Sequence, residues 1–221
     1  MCFNETASLV ALGIGMFFSG LLCLRGEMAY GGVIFFITIM QLHEYLVHRS
    51  IRTKNPELNH FATKLIALTL FLQPLSVAFF NTFFKKKEYL YLASSFWRTW
   101  PFIAAYIAVS GWAFYEMRNS MSTSFLGKCG NVCRLSWFKN VPMFPTVIFV
   151  AAYLGTQFAW ACKQDNSLRF QMTNFIPTLL VISIAYTFLT PFKWREKFTY
   201  IGSIWCFLAV FAGPMYLYSL K

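Results

Sequence analysis

An all-α fold, a polytopic bundle of about seven membrane-spanning helices, is what this sequence predicts, and three observations predict it. Hydrophobic residues make up 57% of the chain and charged residues only 12%, more apolar side chain than one soluble core can hide. The apolar residues fall into blocks of about 18 to 25, the length at which an α-helix crosses roughly 30 Å of hydrocarbon. The basic residues behind a net charge of +11 lie in the short segments beside those blocks, where they meet lipid headgroups.

Taken in order, the blocks predict spans at 8–24, 29–48, 63–84, 90–117, 143–162, 174–192 and 198–219. The first lacks a basic leader and a small-residue cleavage site, so it is expected to remain as a helix. In the fourth, "EYLYLASSFWRTWPF" carries Arg98 and Pro101, and its first part is expected to lie along the interface before the span begins. The longest polar segment runs from Arg118 to Asn140, too short for a separate soluble unit, so residues 1–221 form a single domain.

With seven spans, the loops after the second, fourth and sixth share a side, the N side, with the N-terminus. That side holds eleven of the lysines and arginines, from Arg49, Arg52 and Lys54 to Lys193, Arg195 and Lys197, and the other side holds seven. The positive-inside rule then places the N-terminus in the cytosol. Short clusters such as Lys85 to Lys87 favour anionic lipid as the partner, and the spread of charge gives no nucleic-acid face. A homo-oligomer is left open.

The costly side chains gather in "MQLHEYLVHRS", Met40 to Ser50. Gln41, Glu44, Tyr45 and His48 stand three or four residues apart, with Thr38 one turn earlier, so a polar stripe faces the bundle. His43 lies off that stripe, and its five-residue spacing from His48 is not the HExxH spacing of zinc proteases. Glu44 is the one carboxylate well inside a span and Arg98 the one cation there, which makes them a candidate pair for proton or cation binding, with Gln41 and the kink-forming Gln73-Pro74 beside the path. His43, His48, His60 and Cys2 all belong to the N side and form a candidate metal set, with zinc as the ion. "KCGNVC", Cys129 to Cys133 on the same side, is the only close cysteine pair.

Several chemistries are excluded. No lysine lies well inside a span for a retinal Schiff base, Lys64 being at the very edge of the third, and there is no TVGYG filter, Walker loop or GxSxG elbow. Transport or conduction of a proton, cation or small solute is the leading expectation. The alternatives are a metal-dependent intramembrane enzyme acting on a lipid, with Glu44 as general base, and a structural or partner-binding membrane protein.

The N-terminal "MCFNETASLVALGIG" resembles the start of an uncharacterised family of small multi-pass membrane proteins that begin MCFS and carry a glutamine and a glutamate near the end of the second helix, here Gln41 and Glu44. The likeness covers about the first 50 residues. Asn4 replaces the usual Ser, Leu9 the usual Phe, and "HEYLVH" departs from the family's Glu-Gly pattern. The resemblance implies about seven helices, assigns no reaction, and draws attention to Cys2 together with Glu44.

Orientation is directly testable. In a background without native cysteines, Lys54→Cys is expected to escape an impermeant thiol reagent in intact cells and to react only after permeabilisation; reaction from outside would reverse the orientation.

Overall fold

The structure is a computed structural model, and it describes residues 5–83, 92–127, 134–138, 141–162, 210 and 212–219. Helix accounts for 86% of these residues. Six α-helices are present among them: α1 (Glu5–Leu24), α2 (Met28–Arg52), α3 (Pro56–Phe83), α4 (Leu92–Met117), α5 (Met143–Cys162) and α6 (Ala212–Ser219). Two of these, α1 and α2, are long and apolar enough to cross a membrane.

The count is therefore six described helices where seven were expected. The span expected at 174–192 lies outside the described residues, and of 198–219 only the last turns, α6, are described as helix. Helix α2 runs on to Arg52 and α3 begins at Pro56, seven residues before the apolar block, so His60 lies inside α3 and not ahead of it. Helix α4 is one continuous helix from Leu92 with Pro101 within it.

The extra length of α2 and α3 comes from their turn. Helix α2 ends in a Schellman motif: Lys54 adopts a left-handed φ of 52°, its N–H bonds to the Ile51 carbonyl, and the Asn55 N–H bonds to the Ser50 carbonyl at 2.9 Å. Asn55 then caps α3, its Oδ1 accepting the Leu58 N–H at 2.9 Å, with Pro56 at the first helical position and Glu57 in the first turn. The α1–α2 turn repeats the device with Gly26 at φ 82°, Gly26 N–H to Cys23 O and Glu27 N–H to Leu22 O. These two turns fold α1, α2 and α3 into consecutive antiparallel hairpins.

Small residues let α1 and α2 approach closely. A Cβ on Gly15 would overlap the Thr38 side chain, and Ser19 Oγ donates to the Gly31 carbonyl at 2.7 Å. At the end of this pair the exposed Arg52 Nε meets Glu5 Oε1 at 2.8 Å. Helix α6 closes on the other end, with Tyr30 Oη donating to the Ala212 carbonyl and Gly213 against Phe18. On the far side of α3, α4 and α5 pack through aromatics, Phe114 and Phe149 lying 4.9 Å apart edge to face within a cluster that includes Tyr106, Met117 and Tyr153.

Between α4 and α5 the chain forms an element that an all-α expectation leaves out. After a 3₁₀ turn (Ser120–Ser122), β1 (Phe125–Gly127) pairs antiparallel with β2 (Arg134–Ser136), Leu126 opposite Leu135. Leu135 and Trp137 sink into the groove between α2 and α3, against Met40, Val47, Ala62 and Ile66. Cys129 and Cys133 lie outside the described residues.

The Gly15 contact yields a test. Gly15→Val forces its methyls into Thr38 and is expected to destabilise the chain by about 1–3 kcal/mol in detergent thermal unfolding. Thr38→Ala removes the two nearest atoms and leaves Cβ 2.9 Å away, so it should recover part of that loss in the double variant. Equal losses with and without Thr38→Ala would remove the contact as the cause.

Candidate functional site

Helix α2 buries polar groups on two faces, because it is packed on two sides. Thr38, Gln41, Glu44 and His48 form the expected stripe, and Thr38, Gln41 and Glu44 have no exposed surface at all. Tyr45 is half-buried and belongs to the rim, its hydroxyl accepting a bond from Arg49 Nη1 at 2.9 Å. His43, off the stripe, is buried against α3, where its Nδ1 lies 3.2 Å from Thr69 Oγ1.

The carboxyl of Glu44 is met by the hairpin. Trp137 Nε1 donates to Glu44 Oε1 at 3.0 Å. The rest of the hairpin is tied to the first two turns of α3. Asn59 Nδ2 donates to Ser124 O at 3.1 Å and to Ser50 Oγ at 3.0 Å, while its Oδ1 accepts the Ser124 N–H at 2.9 Å. Ser124 Oγ donates to the Trp137 carbonyl at 2.7 Å and lies 2.8 Å from Thr63 Oγ1, which itself donates to the Asn59 carbonyl at 2.8 Å. A continuous buried network thus runs from α3 through Ser124 to Trp137 and on to Glu44.

His60 joins the same region from outside. It is exposed, and its Nδ1 lies 2.7 Å from the Ser122 carbonyl, so that nitrogen carries a proton. With Glu5 on Arg52, Asn59 on Ser124 and His60 on Ser122, the start of α1, the α2–α3 turn and the α4–α5 connection all lie at one end of the bundle.

The remaining candidates are placed as follows. Gln73 is buried, and its Oε1 accepts the Tyr153 hydroxyl at 2.6 Å, a link from α3 to α5. Pro74 removes the N–H that the Leu70 carbonyl would take, and one residue on, the Phe71 carbonyl is capped by Tyr106 Oη at 2.9 Å. Arg98 sits six residues into α4, at the end remote from the hairpin, whereas Glu44 sits eight residues from the hairpin end of α2, so their backbones stand at different levels. Cys2 lies outside the described residues, and among those described no group of three or more His, Cys, Asp and Glu is placed to hold a metal ion.

Sequence reasoning missed Trp137, Ser124, Asn59, Thr63 and Thr69. Part of the signal was there: on α3, Asn59 and Thr63 stand four residues apart and Thr69, Gln73 and Ser76 four and three apart, all buried, but Asn59 precedes the apolar block. No family model, no curated protein and no solved structure matches the chain.

Asn59→Ala removes three hydrogen bonds and strands the buried N–H and C=O of Ser124, so it is expected to cost about 2–3 kcal/mol. Trp137→Phe, which keeps most of the ring and loses only the donor to Glu44, is expected to cost about 1–3 kcal/mol. In both variants limited proteolysis should cut between Arg118 and Val141 earlier than in the wild type. A hairpin as resistant as the wild type's in Asn59→Ala would contradict the network.

Proposed function

We propose that this chain is a multi-pass membrane protein whose helix bundle conducts or transports a proton, cation or small solute, with Glu44 as the group that binds the moving charge. The observation that carries the reading is a fully buried carboxyl within a buried polar stripe, among described helices that expose large apolar side chains. Phe17, Phe102, Trp112, Phe144 and Val147 stand exposed along α1, α4 and α5, while Thr, Gln, Ser and His side chains lie inside. That distribution suits hydrocarbon outside and a polar path within. Helix α1 supports it further: only 28% of its apolar stretch is buried, too little for the core helix of a soluble protein.

In this reading Arg49, Arg52, Lys54, Lys64 and Arg118 face anionic headgroups at the hairpin end, and the positive-inside rule puts that end in the cytosol. The N-terminal resemblance to small multi-pass membrane proteins beginning MCFS agrees with it. The metal-dependent enzyme has less support, because the described histidines are engaged separately, His43 with Thr69 on α3 and His60 with the Ser122 carbonyl.

The bond from Trp137 favours one second reading, in which Glu44 only pins the hairpin. Glu44→Gln separates the two, since the amide keeps an acceptor oxygen for the indole N–H but cannot take up a charge. If Glu44 binds the moving charge, Glu44→Gln melts within about 1 kcal/mol of the wild type and abolishes ion or proton flux in proteoliposomes. Flux equal to the wild type's in a folded Glu44→Gln leaves only the structural role.

A further inference from the structure

Exposed charge ends at one level across the hairpin end of the described helices. Arg52 closes α2 and Pro56 opens α3, so Glu44 and Lys64, each eight residues along its helix from there, stand level with one another, about 12 Å in from the turn. On α4 the level follows from Phe71, whose ring centroid lies 5.9 Å from that of Tyr106 and 5.6 Å from that of Phe114. Phe71 is thus level with the stretch between those two, around Ser110. Lys64 lies seven residues nearer the turn, and the same step along the antiparallel α4 leads to Met117. The exposed Glu116 and Arg118 flank that point.

Inward of this level the surface changes character. No charged residue occurs from Leu65 to Phe83 on α3, from Tyr115 back to Thr99 on α4, or anywhere in α5. The exposed side chains there include Leu68 and Phe79 on α3, Val109 and Phe102 on α4 and Val147 on α5. On the opposite side of the bundle α1 repeats the pattern: after Glu5 it holds no charge, and Leu9 and Val10 are exposed.

Amphipathic side chains mark the transition. Tyr115 and Trp112 are exposed one turn apart, Phe144 packs edge to face on Trp112 with centroids at 6.1 Å, and the Arg118 guanidinium lies 4.0 Å over the Tyr115 ring. Such rings with a cation beside them suit the layer where headgroups meet acyl chains. Lys64 suits it too, because helical side chains lean toward the helix N-terminus, which for α3 is the hairpin end. At the far end of α4 the exposed Trp100 stands fifteen residues from Tyr115, about 22 Å away. A partner protein would cover one side of the molecule. The change from charge to apolar surface occurs on α1, α3 and α4, which lie on different sides, and a layer meets all three.

We propose that the headgroup boundary of a bilayer crosses the hairpin end at the level of Lys64, Tyr115 and Glu44, and that Lys64, Arg118, Tyr115 and Trp112 form the collar that binds it. This rests on the multi-pass reading and adds the depth of its site. Glu44 lies at the edge of the hydrocarbon and not in its middle. The hydrogen bond from Trp137 to Glu44 brings β2's end of the hairpin to the same layer, and the α2–α3 turn projects about 12 Å beyond it into water.

The test uses the full chain without native cysteines, in vesicles of phosphatidylcholine and phosphatidylglycerol, with a nitroxide on single cysteines. Lys54→Cys reports the turn, Lys64→Cys and Tyr115→Cys the boundary, and Leu68→Cys and Val109→Cys the hydrocarbon. Phe17→Cys and Phe102→Cys serve as deeper references. Collision with a polar nickel chelate is expected to be highest at Lys54, intermediate at Lys64 and Tyr115, and lower at Leu68 and Val109 by about tenfold or more than at Lys54. Collision with oxygen should rise in the same order. All seven sites are exposed, and α3 and α4 report the boundary independently, so either helix decides where a variant on the other misfolds. If Lys64 and Tyr115 are as closed to the chelate as Leu68 and Val109, the boundary lies nearer the turn and the proposal falls. It falls likewise if Leu68 and Val109 are as open as Lys54 while Phe17 and Phe102 are closed, or if the two helices place the boundary at different levels. These outcomes leave the multi-pass reading standing, whereas free access of the chelate to all seven sites removes that reading as well.

Discussion

A carboxyl with no exposed surface, Glu44, sets the terms for one whole end of this molecule. Its oxygens need donors, and one that reaches it, the Trp137 indole, comes from a hairpin more than ninety residues away in sequence. An indole delivered to that depth must bring its backbone with it. Ser124 takes up the Trp137 carbonyl, Asn59 takes up both backbone groups of Ser124, and Asn59 stands where it does because Asn55 and Pro56 start α3 seven residues before the apolar block. The hairpin, the early start of α3 and the Schellman turn before it are links in one chain that ends on Glu44.

Away from that end the helices associate in two different ways. Along α1 and α2 the contacts are small and polar, Gly15 on Thr38 and Ser19 on the Gly31 carbonyl, which brings backbones close and leaves little volume between them. Between α4 and α5 they are aromatic, with Phe114, Phe149 and Tyr153 filling a wider gap. Helix α3 lies between the two kinds and uses hydroxyls to join them, Thr69 toward His43 on α2 and the Phe71 carbonyl toward Tyr106 on α4. The narrow seam is therefore the one on α1 and α2.

What the sequence made legible follows from what periodicity can encode. Thr38, Gln41, Glu44 and His48 share a face by spacing alone, and the structure buries all four. Hydropathy found the middles of α1 to α5 but misplaced the start of α3, because His60, Lys64 and Glu57 dilute an apolar average while Asn55-Pro56-Glu57 is a strong helix start that depends on local chemistry. The hairpin was invisible: three-residue strands have no measurable alternation, and Trp137 looks like any loop aromatic until Glu44 is seen to need a donor. A shared side of the membrane does not by itself bring ring nitrogens together: His43 lies against Thr69 on α3 and His60 against the Ser122 carbonyl of the 3₁₀ turn.

The identity of the donor to Glu44 bears on which of its roles can coexist. An arginine beside a buried carboxyl holds it ionised, since neutralising the acid would strand the guanidinium. An indole N–H is neutral, and it donates equally well to a carboxylate and to the carbonyl oxygen of a carboxylic acid. The hydrogen bond from Trp137 thus survives a change in the charge of Glu44, and so does the docking of the hairpin that depends on it. Pinning the hairpin and binding a proton are for this reason compatible duties of one side chain. The Trp137 bond by itself therefore does not tie Glu44 to one charge state.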